Sequence, residues 1–154
     1  MRVQEVTPAA GVAVAEAGRL LAALAHGGTE RNATIEAIQA FAPAPALEVR
    51  DEIPFNSRDK VSAIVVALDG QVRHLYLGAL EALAPRLGEE ERGAARATVA
   101  AAPGLRHVVL CECREAPASL REHHAAHGAL RLLALVAVVD EVRPDVREVL
   151  QGFA

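Results

Sequence analysis

The sequence predicts an α/β (α+β) domain built on a mainly antiparallel sheet that helices flank. Apolar runs of strand length alternate along the chain with segments whose apolar residues recur at helical spacing. Between two of the apolar runs stands Asp69-Gly70, a dipeptide typical of the two-residue turn that joins antiparallel strands. The 154 residues have the length of one domain and contain no internal repeat, so we expect one layered core.

The first part of the chain predicts a strand followed by two helices. Met1 to Val6 has the composition of a short strand. Apolar residues then recur at helical spacing from about Val14 to His26, and Gly27-Gly28 ends this helix. Asn32 is suited to cap a second helix, which ends near Phe41 because two prolines follow it.

The middle of the chain predicts three strands and then two helices. The strands Leu47 to Ile53, Val61 to Leu68 and Val72 to Leu77 are rich in β-branched residues or alternate in polarity. Helices are predicted over Ala79 to Leu87 and Glu89 to Ala102, on either side of a glycine. The second of these begins with three acidic residues, which suit the positive end of the helix dipole.

The last part of the chain predicts two further strands and one more helix. Arg106 to Cys113 and Leu130 to Val139 are apolar runs of strand length, and the histidine-containing connection between them has room for one helical turn. Arg143-Pro144 opens the predicted final helix.

Composition argues against several classes of protein. The net charge of -4, with acids and bases interspersed, is unlike a nucleic-acid-binding surface. The sequence has no apolar stretch of the roughly eighteen residues that a membrane helix needs and no export signal at its start, so we expect a soluble, unexported chain. Cys111 and Cys113 are too close in sequence for a relaxed disulfide, which predicts packed thiols in a reducing compartment.

Five short segments follow one another in an order that matches a known family. They are a Phe five residues before a Lys (55 and 60), Leu-Gly-Ala-Leu-Glu (77–81), Gly-Leu-Arg (104–106), Asp-Glu-Val-Arg-Pro-Asp (140–145) and Asn-Ala-Thr (32–34). Together they resemble the nucleotide-binding domain of P-type cation-transporting ATPases. In that family the second segment reads Lys-Gly-Ala-Pro-Glu or, in a bacterial subgroup thought to move calcium or similar cations, Leu-Gly-Ala-Pro-Glu.

The resemblance implies a domain that works as part of a larger pump. The family's Asp-Lys-Thr-Gly-Thr-Leu-Thr, which carries the phosphorylated aspartate, is absent from the sequence. The resemblance therefore implies a nucleotide-binding domain over residues 1–139 and, over residues 140–154, the hinge and the start of the return into the phosphorylation domain. It implies ATP as ligand, magnesium in the full-length parent, and the parent's phosphorylation and membrane domains as partners. We expect the isolated chain to be monomeric, to lack ATP hydrolysis of its own, and to lie on the cytoplasmic side of the membrane within its parent.

The resemblance and the chemistry of the side chains together select the candidate nucleotide-binding residues. Phe55 offers a ring face on which adenine can stack, although a core position is the common alternative for a phenylalanine. Lys60 is the one lysine beside fifteen arginines, and its compact ammonium suits a phosphate. Gly78 and Ala79 are predicted where a strand ends and a helix opens, so that backbone amides face the ligand.

Two further candidates have competitors in the sequence. Arg106 has the position that the resemblance assigns to a phosphate-binding arginine, and it is preferred because Pro103-Gly104-Leu105 matches the family's segment before it; Arg131, which precedes another apolar strand, is the competitor by local pattern. Glu36 can accept a hydrogen bond from the adenine amino group, although the matching family glutamate can instead fall on Ile35.

Other functions are weaker readings of the sequence. A degenerate interaction domain that has lost nucleotide is the main alternative, because Leu77 and Leu80 replace a lysine and a proline of the usual family motif. A self-contained hydrolase is disfavoured, since the sequence shows no catalytic set of acid, base and nucleophile. His123 and His127 have the spacing of a helical metal pair, but lack further ligands in a recognised metal spacing and are expected to be solvent-exposed loop residues.

Overall fold

The core of the structure is one antiparallel sheet. The computed structural model describes residues 1–29 and 31–140. Within them lie the strands β1 (Arg2–Pro8), β2 (Glu48–Asn56), β3 (Val61–Leu68), β4 (Gln71–Ala79), β5 (Arg106–Cys113) and β6 (Leu130–Val139). Their order across the sheet is β1-β6-β5-β4-β3-β2, and every neighbouring pair is antiparallel. The predicted α+β class and antiparallel sheet are confirmed.

Helices cover both faces of this sheet. They are α1 (Val14–Gly27), α2 (Ala33–Phe41), α3 (Leu80–Leu83), α4 (Glu89–Ala101) and α5 (Leu120–Ala125). The helix predicted over Ala79 to Leu87 is instead the single turn α3 followed by a 3-10 turn, Ala84–Arg86, because Pro85 cannot continue the α-helical hydrogen bonding. The helix predicted at Arg143 lies outside the described residues.

The alternation of side chains along the central strands divides the core into two clusters. On one face Ile64 and Val66 of β3 pack with Leu20, Leu21 and other buried residues of α1 and α2. On the opposite face lies a second cluster, made of Val61, Ala63, Val65, Tyr76, Leu83, Ala95, Val109, Cys111, Cys113 and Leu120 with residues of β6. The fold is therefore a three-layer arrangement of helices, sheet and helices.

Local chemistry fixes the hairpin between β3 and β4. Asp69 and Gly70 have φ angles of 54° and 77°, the left-handed values that a tight two-residue turn requires. Leu68 pairs with Gln71 directly across this turn. The predicted hairpin is confirmed, and its register determines which residues meet at the far end of the two strands.

The first and the last of the described strands are neighbours, since β1 pairs with β6 from Arg2–Val139 to Pro8–Ala134. The prediction of packed thiols is confirmed. Both cysteines are buried free thiols in the same cluster, and burial raises the pKa of Cys113 to about 11.

A buried carboxylate joins three strands at the end of the sheet near the Asp69-Gly70 turn. Glu112 of β5, 8% exposed, is paired with Arg73 of β4 and with Arg131 directly opposite it on β6. Arg73 also approaches Glu16 of α1, at 3.4 Å. Burial opposes ionisation of Glu112, but its hydrogen bonds with Arg73 and Arg131 outweigh that effect and lower its pKa. The network links the sheet to α1.

We predict that Glu112→Gln lowers the free energy of unfolding by about 1–3 kcal/mol at neutral pH, because two arginines lose their charged partner. A carboxyl group whose pKa is lowered by folding stabilises the protein above its unfolded pKa and loses that effect as pH falls through the folded value. The difference between variant and wild type should therefore shrink below about pH 4. Denaturant unfolding at several pH values measures it, with the exposed Glu115→Gln as control. A loss that is equal at every pH contradicts this role.

Candidate functional site

An open groove of about 640 Å³ lies at the end of the sheet opposite the Asp69-Gly70 turn. It is bordered by the loop between β2 and β3, the N-terminus of α2, the end of β4, the start of β5 and the end of β6. Five of the six predicted ligand-binding residues line it: Phe55, Lys60, Gly78, Ala79 and Arg106. Residues from separate segments of the chain thus converge on one surface.

Phe55 is placed for contact with a ligand rather than in the core. It lies near the end of β2, where the pairing with β3 shifts register between Ile53 and Asn56. Its side chain is 42% exposed and belongs to neither core cluster. The alternative of a core phenylalanine is therefore wrong, and a ring face is available at the groove.

The conformation of Lys60 is held through its backbone. Its φ angle is 59°, a left-handed value that is uncommon for a residue with a side chain. The Lys60 amide donates to the Asn56 carbonyl at 2.6 Å, and the Lys60 carbonyl accepts from the Ala79 amide at 3.2 Å. These two bonds close the loop between β2 and β3 and leave the ammonium exposed at the groove.

Gly78 makes room for that loop. It is the residue before the last in β4, and α3 begins directly after the strand with Ala79 as its N-cap, so the predicted change from strand to helix lies here. A Cβ atom at Gly78 would lie 2.5 Å from the Lys60 carbonyl oxygen, far inside contact distance. The missing side chain therefore admits the backbone of Lys60, and the amide of Ala79 is already engaged there rather than free for a ligand.

The structure distinguishes between the two candidate arginines. Arg106 begins β5 beside the groove and is exposed. Arg131 is paired with Glu112 in the ion-pair network of the sheet and does not line the groove. Arg106 is therefore the arginine positioned to meet a ligand.

The N-terminus of α2 contributes differently from the prediction. Glu36 is exposed and is not among the lining residues, whereas the neighbouring Ile35 lines the groove and is 4% exposed. Asn32 caps the helix as predicted, since its Oδ1 accepts from the Ile35 amide at 2.9 Å. Neighbouring residues of a helix do not share a face, so Glu36 lies on a different face of α2 from Ile35, which lines the groove. Its placement therefore gives no support to the predicted contact with a base.

Three hydroxyl groups at the groove were not singled out from the sequence. Thr34, Ser57 and Ser62 all line it. Ser57 and Ser62 had a detectable signal, because both lie close to Lys60 in sequence. These hydroxyls can donate or accept hydrogen bonds along a bound ligand.

The charge of the groove suits an anion. Among the described residues that line it, Lys60 and Arg106 carry positive charge and none carries a carboxylate. The described residues also hold no group of three or more His, Cys, Asp or Glu side chains arranged to bind a metal ion. A ligand here would be held by direct contact with cationic and hydroxyl side chains and with the Phe55 ring.

His127 is exposed outside α5, as predicted, whereas His123 and His124 lie on α5 and are partly buried, contrary to the prediction of solvent-exposed loop residues. His123 Nδ1 lies 2.9 Å from the Tyr76 hydroxyl and 3.2 Å from Arg86 Nη2. Burial and the Arg86 charge lower the pKa of His123. Gly128 allows this packing, because a Cβ there would overlap the His123 ring.

Comparison with known proteins identifies the domain. No family model matches the sequence. Two curated relatives, the calcium-transporting ATPases CtpE of Mycobacterium bovis and Mycobacterium tuberculosis, are each 34% identical over 156 residues, which cover 100% of this chain. The crystal structure of the N-domain of HMA8, a copper-transporting P-type ATPase, matches the fold with a TM-score of 0.57 at 16% identity, over 90% of this chain and 100% of that one. The chain is an N-domain of the P-type ATPase family.

This N-domain corresponds to a small part of its relatives. The chain spans 18% of the length of each curated relative. Among the helices that the structure describes, none is both long enough and apolar enough to cross a membrane. The predicted family and fold are confirmed. The boundary between a domain over residues 1–139 and a hinge over 140–154 stays a prediction, because residues 141–154 lie outside the described part.

We predict that Gly78→Ala destabilises the N-domain by about 1–3 kcal/mol, because the new methyl group collides with the backbone carbonyl of Lys60. Gly93→Ala in α4 is the matched control: a Cβ there meets no atom within 4 Å, and alanine favours a helix by about 1 kcal/mol. Denaturant unfolding of the two variants measures the difference. Equal stability of both variants contradicts the role assigned to Gly78.

Proposed function

We propose that this N-domain binds ATP in the groove and presents it to a phosphorylation domain elsewhere in a longer P-type ATPase. The observation that carries the proposal is the convergence of Phe55 and Lys60, which are close in sequence, with the distant Arg106 on one groove without a carboxylate among its described lining residues. The flat base of ATP needs an apolar surface and its phosphate chain needs positive charge, and these three side chains can supply both.

The base and the phosphates have separate partners in this proposal. Stacking of a base on an aromatic ring contributes about 1–3 kcal/mol, and the exposed Phe55 ring offers that surface. Lys60 and Arg106 supply the cations for the phosphate chain, and charge-assisted hydrogen bonds to phosphate are stronger than neutral ones. The groove volume of about 640 Å³ is in the range of small-ligand sites.

Phosphoryl transfer is assigned to the parent protein. Catalysis of this reaction depends on placing the attacking group, magnesium and the phosphate in line. In this proposal the phosphorylated aspartate and the magnesium ligands belong to other parts of the parent protein. This chain corresponds to 18% of the length of each curated relative, so those proteins contain much more than this domain. The N-domain then supplies binding and orientation of ATP, on the cytoplasmic side of the membrane.

Calcium is our proposal for the cation that the parent transports. Both curated relatives are named calcium-transporting ATPases and are 34% identical to this chain over its whole length. The HMA8 structure is titled a copper-transporting ATPase, but at 16% identity it supports the fold alone. A chain that keeps the N-domain fold without nucleotide is the competing function, and ATP titration separates the two.

We predict that Phe55→Ala weakens ATP binding about ten-fold or more, because stacking on the ring is lost. Wild-type affinity near the millimolar range corresponds to about 4 kcal/mol in total, so the variant should retain little measurable binding. NMR titration with ATP measures both proteins. Phe41→Ala is the matched control, since Phe41 is 50% exposed but lies outside the groove. Equal ATP affinity of Phe55→Ala and the wild type contradicts the site.

We predict that Lys60→Ala weakens ATP binding less than Phe55→Ala, because an exposed ammonium is partly screened by water. Lys60→Arg should restore only part of the affinity, since a broad planar guanidinium does not replace a compact ammonium. Arg58→Ala serves as control, because Arg58 belongs to the same loop but does not line the groove. The same NMR titration applies, and an equal loss in Arg58→Ala and Lys60→Ala would refute a specific role for Lys60.

A further inference from the structure

The loop between β2 and β3, which carries Lys60, has neighbouring residues of the protein on the side away from the groove. Residues 54–60 are all exposed, so few packing contacts hold them. Behind the loop lies a second, smaller cavity of about 320 Å³, which Lys60 borders together with Asp59, Arg86 and His124. Helix α5, which carries His124, packs against β2 and β3, the two strands that the loop connects.

Arg86 is the fixed point of this second cavity. It is 7% exposed, and its Nε donates to the Gly128 carbonyl at 2.9 Å. Its Nη2 donates to the Tyr76 hydroxyl at 3.3 Å, and its guanidinium carbon lies 4.6 Å from the centre of the fully buried Tyr76 ring. A guanidinium held by a carbonyl, a hydroxyl and a ring face has little freedom to move.

The hydrogen bonds of His124 follow from this fixed donor. His124 Nδ1 lies 3.3 Å from Arg86 Nη1. A guanidinium donates and never accepts, so Nδ1 must accept and the imidazole proton resides on Nε2. That nitrogen lies 3.5 Å from Asp59 Oδ2, directly beside Lys60 in sequence. The imidazole therefore connects a buried arginine to an exposed loop.

We propose that His124 is a positioning residue for the nucleotide groove. Through Asp59 it ties the loop between β2 and β3 to the buried Arg86, and so helps to hold Lys60 in its left-handed conformation. His124 does not line the groove, so it acts on the ligand only through this loop. The effect on ATP rests on the proposed function, whereas the effect on Lys60 concerns the protein alone.

The connection from Arg86 through His124 to Asp59, called the tie below, can be tested on the protein without nucleotide. In His124→Asn the amide oxygen can take the place of Nδ1 and accept from Arg86, whereas in His124→Gln the amide nitrogen can take the place of Nε2 and donate to Asp59. The Gln variant keeps a donor toward Asp59 and the Asn variant does not. We expect the backbone amide NMR signals of Lys60 and Ala79 to shift in His124→Asn and in Asp59→Ala, and to stay near their wild-type positions in His124→Gln.

The control variant changes a neighbouring histidine. His127 borders the same cavity. Its φ angle is 51°, a left-handed value that asparagine also tolerates, so His127→Asn should keep the local backbone conformation. His127→Asn should therefore leave the Lys60 signal in place. If α5 acted only by packing, His124→Asn and His124→Gln would disturb Lys60 equally.

ATP titration then measures the consequence for the groove. The tie is a partly exposed polar contact, so we expect His124→Asn and Asp59→Ala each to weaken ATP binding about two- to five-fold. The double variant should lose no more than either single one, and His124→Gln should bind as the wild type does. Equal losses in the Asn and Gln variants, or an unmoved Lys60 signal in His124→Asn, overturn the proposal. A wild type that fails to bind ATP overturns the proposed function instead, while the amide signals still decide the tie.

Discussion

The groove depends on one backbone contact, in which the Lys60 carbonyl packs against the bare Cα of Gly78 and accepts a hydrogen bond from Ala79. This contact exists because the β3–β4 hairpin has a single register, in which Val61 pairs with Gly78. A slip of one residue would place a side chain against the carbonyl and turn every core residue of β3 to the opposite face. The Asp69-Gly70 turn at the other end of the hairpin therefore helps to fix the geometry of the groove.

The two sides of the Lys60 loop differ in charge. The groove side combines Lys60 and Arg106 with hydroxyl groups, whereas the opposite cavity contains acids as well as bases, including Asp59, Glu81 and Arg86. Mixed charges satisfy one another within the protein and stabilise a conformation. A groove whose described lining residues include cations and no carboxylate favours a bound anion. This difference in charge supports our proposals that a ligand binds in the groove and that residues of the opposite cavity stabilise the loop.

Features that depend on local chemistry could be predicted from the sequence. The turn at Asp69-Gly70, the cap at Asn32 and the strands β3, β5 and β6 all follow from residues close together in the chain. The reason for Gly78 could not be predicted in the same way, because the atom that needs the space belongs to another strand. The resemblance favours Arg106 over Arg131, but the ion pair that engages Arg131 could not be predicted, because its partner Glu112 belongs to the neighbouring strand.

Exposure of an aromatic ring does not by itself indicate a ligand site, since Phe41 is more exposed than Phe55. What distinguishes Phe55 is the strained loop that follows it. A left-handed residue with a side chain costs about 1–2 kcal/mol, and at Lys60 that strain is offset by hydrogen bonds to Asn56 and Ala79. The loop thus has its shape before any ligand arrives, so binding need not order the Lys60 backbone. For the proposed function this preorganisation matters, because it holds the Lys60 backbone near Phe55, where the proposal places the phosphate chain and the base of one ligand.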